Sequence, residues 1–283
     1  MKGNLSVKLN GVKSFQPEIS VFAGGEVNVC IPDRKGYPPS VSNIVIEACI
    51  QDSEMLMALL ILVDALRVRF PDPSIEMGLF MPYAPYARQD RICNKGESLT
   101  SKVFATMINS CNFDGVVTLD NHSEVMTALL NNVRNVEQYE VLRQNEDLSF
   151  ALYHSGLTIV APDYGSTKKA EKVAQHFGHT EVIQGTKHRD LKSGALSGFG
   201  FYGDVEGKDL LIIDDICDGG GTFVGLAKEL RAADCGKISL YVSHGIFSRG
   251  VENLLDNGID TVYTTDSLIQ TEHSGLKVIS VFN

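Results

Sequence analysis

Three carboxylates and three consecutive glycines follow an apolar run in LLIIDDICDGGGTF, residues 210–223. Carboxylates are good acceptors for sugar hydroxyls and poor partners for phosphate. Glycines let the backbone close on a ligand, and the free N–H groups at a helix start favour an anion. Acid first and glycine second therefore suits a sugar phosphate. Asp214 and Asp215 would meet hydroxyls, while Asp218, Gly219, Gly220, Gly221 and Thr222 would surround the phosphate, with Thr222 adding a hydroxyl donor. An aspartate pair alone reads as a tight turn with solvated acids. The combination DDxxDxGGT behind a buried strand is what points to a site.

Five further stretches carry residue types able to do chemistry. In YAPYARQDR (83–91), Arg88 suits a phosphate and Gln89 a base or ribose, although a solvated loop would read the same way. In VVTLDNHSEV (116–125), His122 just past a strand end could ligate a metal or touch a triphosphate. A lone histidine is more commonly a structural hydrogen bonder, and Asp120 beside it favours the functional reading. APDYGSTKKAEKVA (161–174) sets Asp163 ahead of Gly165, Ser166 and a helix start, followed by Lys168 and Lys169, of which at least one is expected to face solvent. GTKHRDLKSG (185–194) is polar, basic and glycine-flanked, as an ordinary loop or a catalytic lid carrying Lys187 and Arg189 would be. VFAGGEVNVCI (21–31) contributes Phe22 and Glu26.

Positioning these groups requires strands alternating with helices. NIVIEACI (43–50), IEMGLFM (75–81) and GVVTLD (115–120) read as strands. Residues 53–70 read as a helix with Ser53 as N-cap and Pro71 as stop, and Val103, Phe104, Met107 and Ile108 share one face of a second helix. Ser123 would cap a third, running to Leu130. The pattern restarts with LTIVAPD (157–163), a helix ended by Gly178, then EVIQG, a strand over 210–213, KISLYVSH, TVYTT and LKVISV, with helices near 221–233 and 249–257. Such alternation implies right-handed crossovers and parallel sheets. The polar stretch 142–149 is the natural seam, giving two α/β domains at about 1–144 and 145–283.

Bulk properties narrow the class. A net charge of −10 argues against an extended nucleic-acid surface. The longest apolar run, Met55–Val63, is too short to span a membrane, and MKGNLSVKLN lacks the apolar core of a signal peptide. The six cysteines form no CxxC pair and no metal spacing, as expected for packed thiols in a reducing cytoplasm. GFGFYG (198–203) matches GxGxxG, but no helix is expected after it, and no GxxxxGK[ST] occurs, so neither a dinucleotide fingerprint nor a Walker loop is read here.

The acid–glycine stretch resembles the phosphoribosyl-diphosphate motif shared by type I phosphoribosyltransferases and ribose-phosphate pyrophosphokinases, with Gly219 where threonine is common. PYARQDR, the histidine segment, the Asp163 segment, the Lys187-x-Arg189 loop and the Phe22/Glu26 stretch each resemble, in order, segments of the ribose-phosphate pyrophosphokinases. That resemblance implies two tandem type I phosphoribosyltransferase-like domains, each a mainly parallel sheet flanked by helices. It implies ATP bound by Phe22, Glu26, Arg88, Gln89 and His122, and ribose 5-phosphate bound by Arg189, Asp214, Asp215, Asp218, Gly219, Gly220, Gly221 and Thr222. Lys187 and Arg189 would be catalytic, and His122 and Asp163 would hold Mg2+. Self-association, at least to a dimer, is implied if Phe22 and Glu26 reach a neighbouring copy. Gly96 stands where the family often has arginine, and the chain ends short of the family's usual last helix, so allosteric control and assembly are expected to differ. A phosphoribosyltransferase using a base as acceptor would share the acid–glycine loop but would give no role to residues 83–91 and 21–31. A silent regulatory homologue would be expected to have lost Lys187 or the aspartates.

Overall fold

A computed structural model of the chain describes residues 1–33, 37–189 and 196–282, and of residues 13, 14, 188, 189, 196 and 197 the backbone alone. It divides into two compact units. Met1–Val136 with Ser267–Ile269 and Phe282 form the first, and Glu137–Asp266 with Gln270–Val281 the second.

The first unit contains β1 (Gly3–Leu9), β2 (Val12–Phe15), β3 (Glu18–Val21), β4 (Val27–Cys30), β5 (Asn43–Ile50), α1 (Ser53–Arg69), β6 (Glu76–Phe80), α2 (Thr100–Ser110), β7 (Gly115–Leu119), α3 (Glu124–Leu129) and β8 (Val133–Val136). Its six-stranded sheet runs β2-β1-β5-β6-β7-β8, parallel from β5 to β8, with β1 and β2 added antiparallel. β5 can be nearly all apolar because a central strand of such a sheet is covered on both faces. β1, β2 and β8 were not expected: β2 and β8 are four residues each, and along β1 the alternation of Leu5, Val7 and Leu9 with polar neighbours is a signal that would have found it. The N-cap of α1 is Asp52, not Ser53: its carboxylate accepts from Met55 N at 2.8 Å, satisfying one free donor of the first turn. On α2, Phe104 and Ile108 are buried with Ala105 and Ser101, whereas Val103 is turned outward, half exposed.

The second unit contains α4 (Gln138–Leu142), α5 (Glu146–His154), β9 (Thr158–Ala161), α6 (Thr167–Phe177), β10 (Val182–Arg189), β11 (Leu196–Tyr202), β12 (Leu210–Cys217), α7 (Gly221–Ala232), β13 (Ile238–Gly245), α8 (Glu252–Leu255), β14 (Thr261–Thr265) and β15 (Leu276–Ile279). Its seven-stranded sheet runs β11-β10-β9-β12-β13-β14-β15, parallel except for the β10–β11 hairpin. The two units change over at Val136/Glu137, ahead of the 144/145 seam. The polar stretch that suggested the seam is a capped junction between α4 and α5, where Asn145 accepts from Leu148 N at 2.9 Å. GFGFY of the GFGFYG stretch lies in β11 and no helix follows it, as expected; β10 carries its pairing through Lys187 and Arg189, so the basic segment begins as strand rather than loop.

Candidate functional site

In the second unit the acidic strand is longer than its apolar run. β12 pairs with β9 only through Ile212, but with β13 through Cys217. Asp214 and Asp215 therefore lie where one neighbour has fallen away and the other persists, at the carboxyl end of the sheet where open α/β folds bind ligands. α7 opens at Gly221, directly behind the loop. Asp215 is buried, and its Oδ2 meets Lys169 Nζ at 3.2 Å. Lys168 is exposed, so the two adjacent lysines divide as expected, one to solvent and one inward. The inward choice of Lys169 was not read from sequence; its place beside buried Ala170 on α6 is the signal that would have found it.

Asp163 follows β9. Its Oδ1 accepts from Gly165 N at 2.8 Å and Ser166 N at 3.3 Å, and its Oδ2 is ion-paired with Lys187 Nζ. Lys187 reaches it because β10 hugs the end of β9: a Cβ at Gly185 would stand 2.6 Å from Pro162 O and 2.8 Å from Ala161 O, a space only glycine leaves open. Asp163, Asp214, Asp215, Lys169 and Lys187 thus form one charged cluster beside the Asp218–Thr222 loop. The Arg189 side chain lies outside the described residues.

The cluster has an electrostatic signature. Burial, and then the charge of Asp215, push the Asp214 carboxyl well above its ordinary value; Asp163 adds to the effect, and the hydrogen bond from Asp215 N, at 2.9 Å, works against it. Cys217 behind them is pushed up to about 12, first by burial and then by Asp214 and Asp218, so it is no nucleophile. A carboxyl whose folded-state value is raised stabilises the fold in its neutral form. That contribution is complete below the ordinary carboxylate range and is lost as the pH climbs through the raised value. Asp214→Asn keeps the acceptor for Asp215 N–H and removes the charge. It is expected to raise Tm near neutral pH, with the advantage over the parent shrinking as the pH is lowered toward the carboxylate range; melting curves across that range check it.

In the first unit, Arg88 and Gln89 follow β6, and His122 follows its parallel neighbour β7. Tyr86 turns the chain with φ of +63° and sets its ring 5.8 Å from that of Phe104, so that Arg88 and Gln89 emerge exposed. The β7 exit is fixed by Asn121, whose backbone N donates to Asn135 Oδ1 at 3.0 Å and whose amide donates to Thr118 at 2.9 Å and Thr127 at 3.1 Å. His122 is held next to this clamp, half-buried, and within electrostatic reach of Asp90. Burial tends to raise the Asp90 carboxyl, but the Ser123 hydroxyl, Arg91 and His122 outweigh it and hold it low. Phe22 and Glu26 sit in the turn of the β3–β4 hairpin, closed by Phe22 N to Glu26 O at 2.9 Å. Phe22 is 58% exposed, and no side-chain hydrogen bond or ion pair among the described residues ties the hairpin turn to Arg88, Gln89 or His122. His122 belongs to the first unit and Asp163 to the second. Among the described residues, no group of three or more His, Cys, Asp or Glu side chains forms a ready metal cage.

Comparison with known proteins assigns both units. A family model described as the N-terminal domain of ribose phosphate pyrophosphokinase matches residues 5–111, and one described as the phosphoribosyl transferase domain matches residues 133–278. The ribose-phosphate pyrophosphokinase of Granulibacter bethesdensis is 32% identical over 222 residues, covering 78% of this chain and 69% of that protein. That of Vibrio cholerae is 30% identical over 253 residues, covering 88% and 78%. The crystal structure of phosphoribosylpyrophosphate synthetase from Mycobacterium smegmatis superposes with a TM-score of 0.76 at 24% identity over 95% of this chain and 87% of that one, which establishes the shared fold. With both halves matched in order and relatives covered over most of their length, the chain belongs to the ribose-phosphate pyrophosphokinase family.

Proposed function

We propose that the chain transfers the terminal diphosphate of ATP to ribose 5-phosphate, giving 5-phosphoribosyl 1-diphosphate and AMP. The observation that carries this reading is that the acid–glycine loop is joined, in one chain, to a first domain of the pyrophosphokinase type. A phosphoribosyltransferase that consumes the product would share the loop and has no use for that first domain. The sugar's anomeric oxygen forms a bond to the β-phosphorus, the bond from that phosphorus to the oxygen leading to the α-phosphorus breaks, AMP leaves, and the hydroxyl proton passes to solvent.

Asp214 and Asp215 accept hydrogen bonds from the ribose hydroxyls, and the backbone of Asp218–Thr222 with the start of α7 receives the 5-phosphate. Arg88, Gln89 and His122 receive the nucleotide, with Phe22 and Glu26 of a neighbouring copy against its base. The exposure of Phe22 supports that last assignment and a homo-oligomer of at least two chains. Lys187 and Arg189 meet the diphosphate in flight. Preorganised cations at the transferring group are the main catalytic resource in such reactions, because charge shifts while little covalent chemistry falls to the protein.

The residues present fit magnesium. Asp163 and Asp215 each hold an ammonium, and burial first, then the charges of Asp215 and Asp163, make the charge of Asp214 costly, so an added cation would ease the cluster. Asp163 and, separately, His122 are side chains offered to Mg2+, which ordinarily takes few protein ligands and completes its shell with water and substrate phosphates. It would neutralise the triphosphate when bound. No helix among the described residues is long and apolar enough to cross a membrane. The six cysteines are unpaired, which supports a reducing cytoplasmic setting.

The test mixes protein, ATP, Mg2+ and ribose 5-phosphate and follows AMP. AMP is expected in step with consumed sugar phosphate, and chelation of the metal should end its release. No AMP with any divalent ion would refute the reading.

A further inference from the structure

The glycine end of the loop has a neighbour that no motif includes. After β13 the chain turns back along the loop through residues 246–250, with Phe247 at φ of +45°. Ile246 N and Phe247 N donate to Cys217 O at 2.8 and 3.1 Å, Ser248 N donates to Asp218 O at 3.1 Å, and Asn253 Nδ2 reaches Gly219 O at 3.4 Å. These bonds lock the β13–α8 turn onto the backbone of the acid–glycine loop. They also set the side chain of Arg249 over Gly219: a Cβ there would lie 3.5 Å from Arg249 Nε and 3.7 Å from its Cδ, with Ser248 Oγ at 3.8 Å.

Arg249 is exposed, and its guanidinium makes no hydrogen bond or ion pair with any described residue. The contrast with the other cations of this unit's cluster is plain, since Lys169 and Lys187 are each committed to a carboxylate. The loop carries three carboxyls, Asp214, Asp215 and Asp218, within five residues of one another, of which Asp215 faces Lys169. A phosphate dianion arriving there gains from the N-terminus of α7, but that is only a partial charge. An arginine over the loop supplies a full positive charge and a planar fork matched to phosphate oxygens.

We propose that Arg249 is a specificity-determining residue for the sugar's 5-phosphate, clasping it from the side of Gly219 where the common threonine side chain is absent. This assignment rests on the proposed function, because it takes the sugar phosphate as the occupant of the loop. Guanidinium contact with the phosphate also explains why the β13–α8 turn is bonded so closely to the loop: a displaced turn would carry the charge away.

Steady-state kinetics of Arg249→Met and Arg249→Lys against the parent test it. Arg249→Met is expected to raise KM for ribose 5-phosphate about tenfold to a hundredfold, the range for losing a charge-assisted hydrogen bond, while KM for ATP stays within about twofold. Arg249→Lys should fall between parent and Met variant, because it keeps the charge and loses the fork. A KM for ribose 5-phosphate within twofold of the parent in Arg249→Met would overturn the assignment, as would an equal rise for ATP. The side chain is exposed, so folding should survive, and parent-like melting of Arg249→Lys with unchanged kinetics in both variants would be equally fatal. A parent that releases no AMP refutes the proposed function itself, whereas an active parent with an indifferent Arg249→Met refutes this inference alone.

Discussion

Exchange of Lys187 for alanine is expected to lower kcat on the order of 10³-fold, the scale for removing a cation from a transferring phosphoryl group. KM for ribose 5-phosphate should change only a few-fold. The asymmetry follows from the site. In the proposed site the sugar phosphate is received by β12, the loop and α7, whereas the ion pair of Lys187 is with Asp163 at the end of β9. Its backbone is fixed by the β10–β11 ladder, opposite Phe199, so the ammonium is delivered by a strand rather than by a free loop. A cation so held contributes most where negative charge builds during transfer, which lowers the barrier without adding ground-state affinity. Lys187→Arg should recover only part of the rate, since a planar fork does not reproduce a compact point charge on Asp163. Single-turnover rates paired with equilibrium binding of ribose 5-phosphate check this. Equal losses in rate and binding would remove Lys187 from the transfer step.

The sequence was most readable where two independent signals coincide. An apolar run ending in aspartates and glycines marked β12, the loop and the start of α7 at once, and α7 does open at Gly221. Gly178 ended α6 where a left-handed cap is needed, at φ of +79°. Single signals did less well. Asp52 and Ser53 are both good cap types, and only the fold shows that it is the Asp52 carboxylate that reaches Met55 N. EVIQG marked the first half of β10, whereas its continuation through Thr186–Arg189 and the return strand β11 were hidden, because polar and glycine residues interrupt the apolar ones there. The glycines make sense only in three dimensions, since Gly185 lies against the end of β9 and Gly225 of α7 leaves room for the Phe199 ring of β11. Val103 looked like a core residue because it neighbours Phe104, yet the buried face of α2 is set by Ser101, Phe104, Ala105 and Ile108. Arg249 was invisible for a topological reason. It follows β13, far along the chain from the acid–glycine loop, and reaches Gly219 only because β13 is the parallel neighbour of β12.

Gly220→Val is expected to lower kcat/KM for ribose 5-phosphate by about 10²-fold or more, whereas Gly219→Ala should cost far less. The three loop glycines look equivalent in sequence and are not equivalent in space. Gly220 caps α7 in the left-handed region at φ of +74°, where a β-branched residue is strained by about 1–3 kcal/mol. A Cβ there would also stand 2.8 Å from Leu254 Cδ2, and Leu254 is buried, so it has little room to retreat. Gly219 has no such conformational demand, and its Cβ would meet Arg249 and Ser248 at ordinary contact distances. Relief of the Gly220 clash must come from the loop itself. Moving it displaces the N–H groups proposed to receive the phosphate and strains the bond from Asn253 to Gly219 O, and displacements near 1 Å can cost about a hundredfold in rate. Kinetics of the two variants with melting curves for each would check the contrast. Similar losses in both would mean that phosphate binding depends on loop flexibility in general, and a fully active Gly220→Val would mean that the backbone of this loop does not hold the sugar phosphate at all.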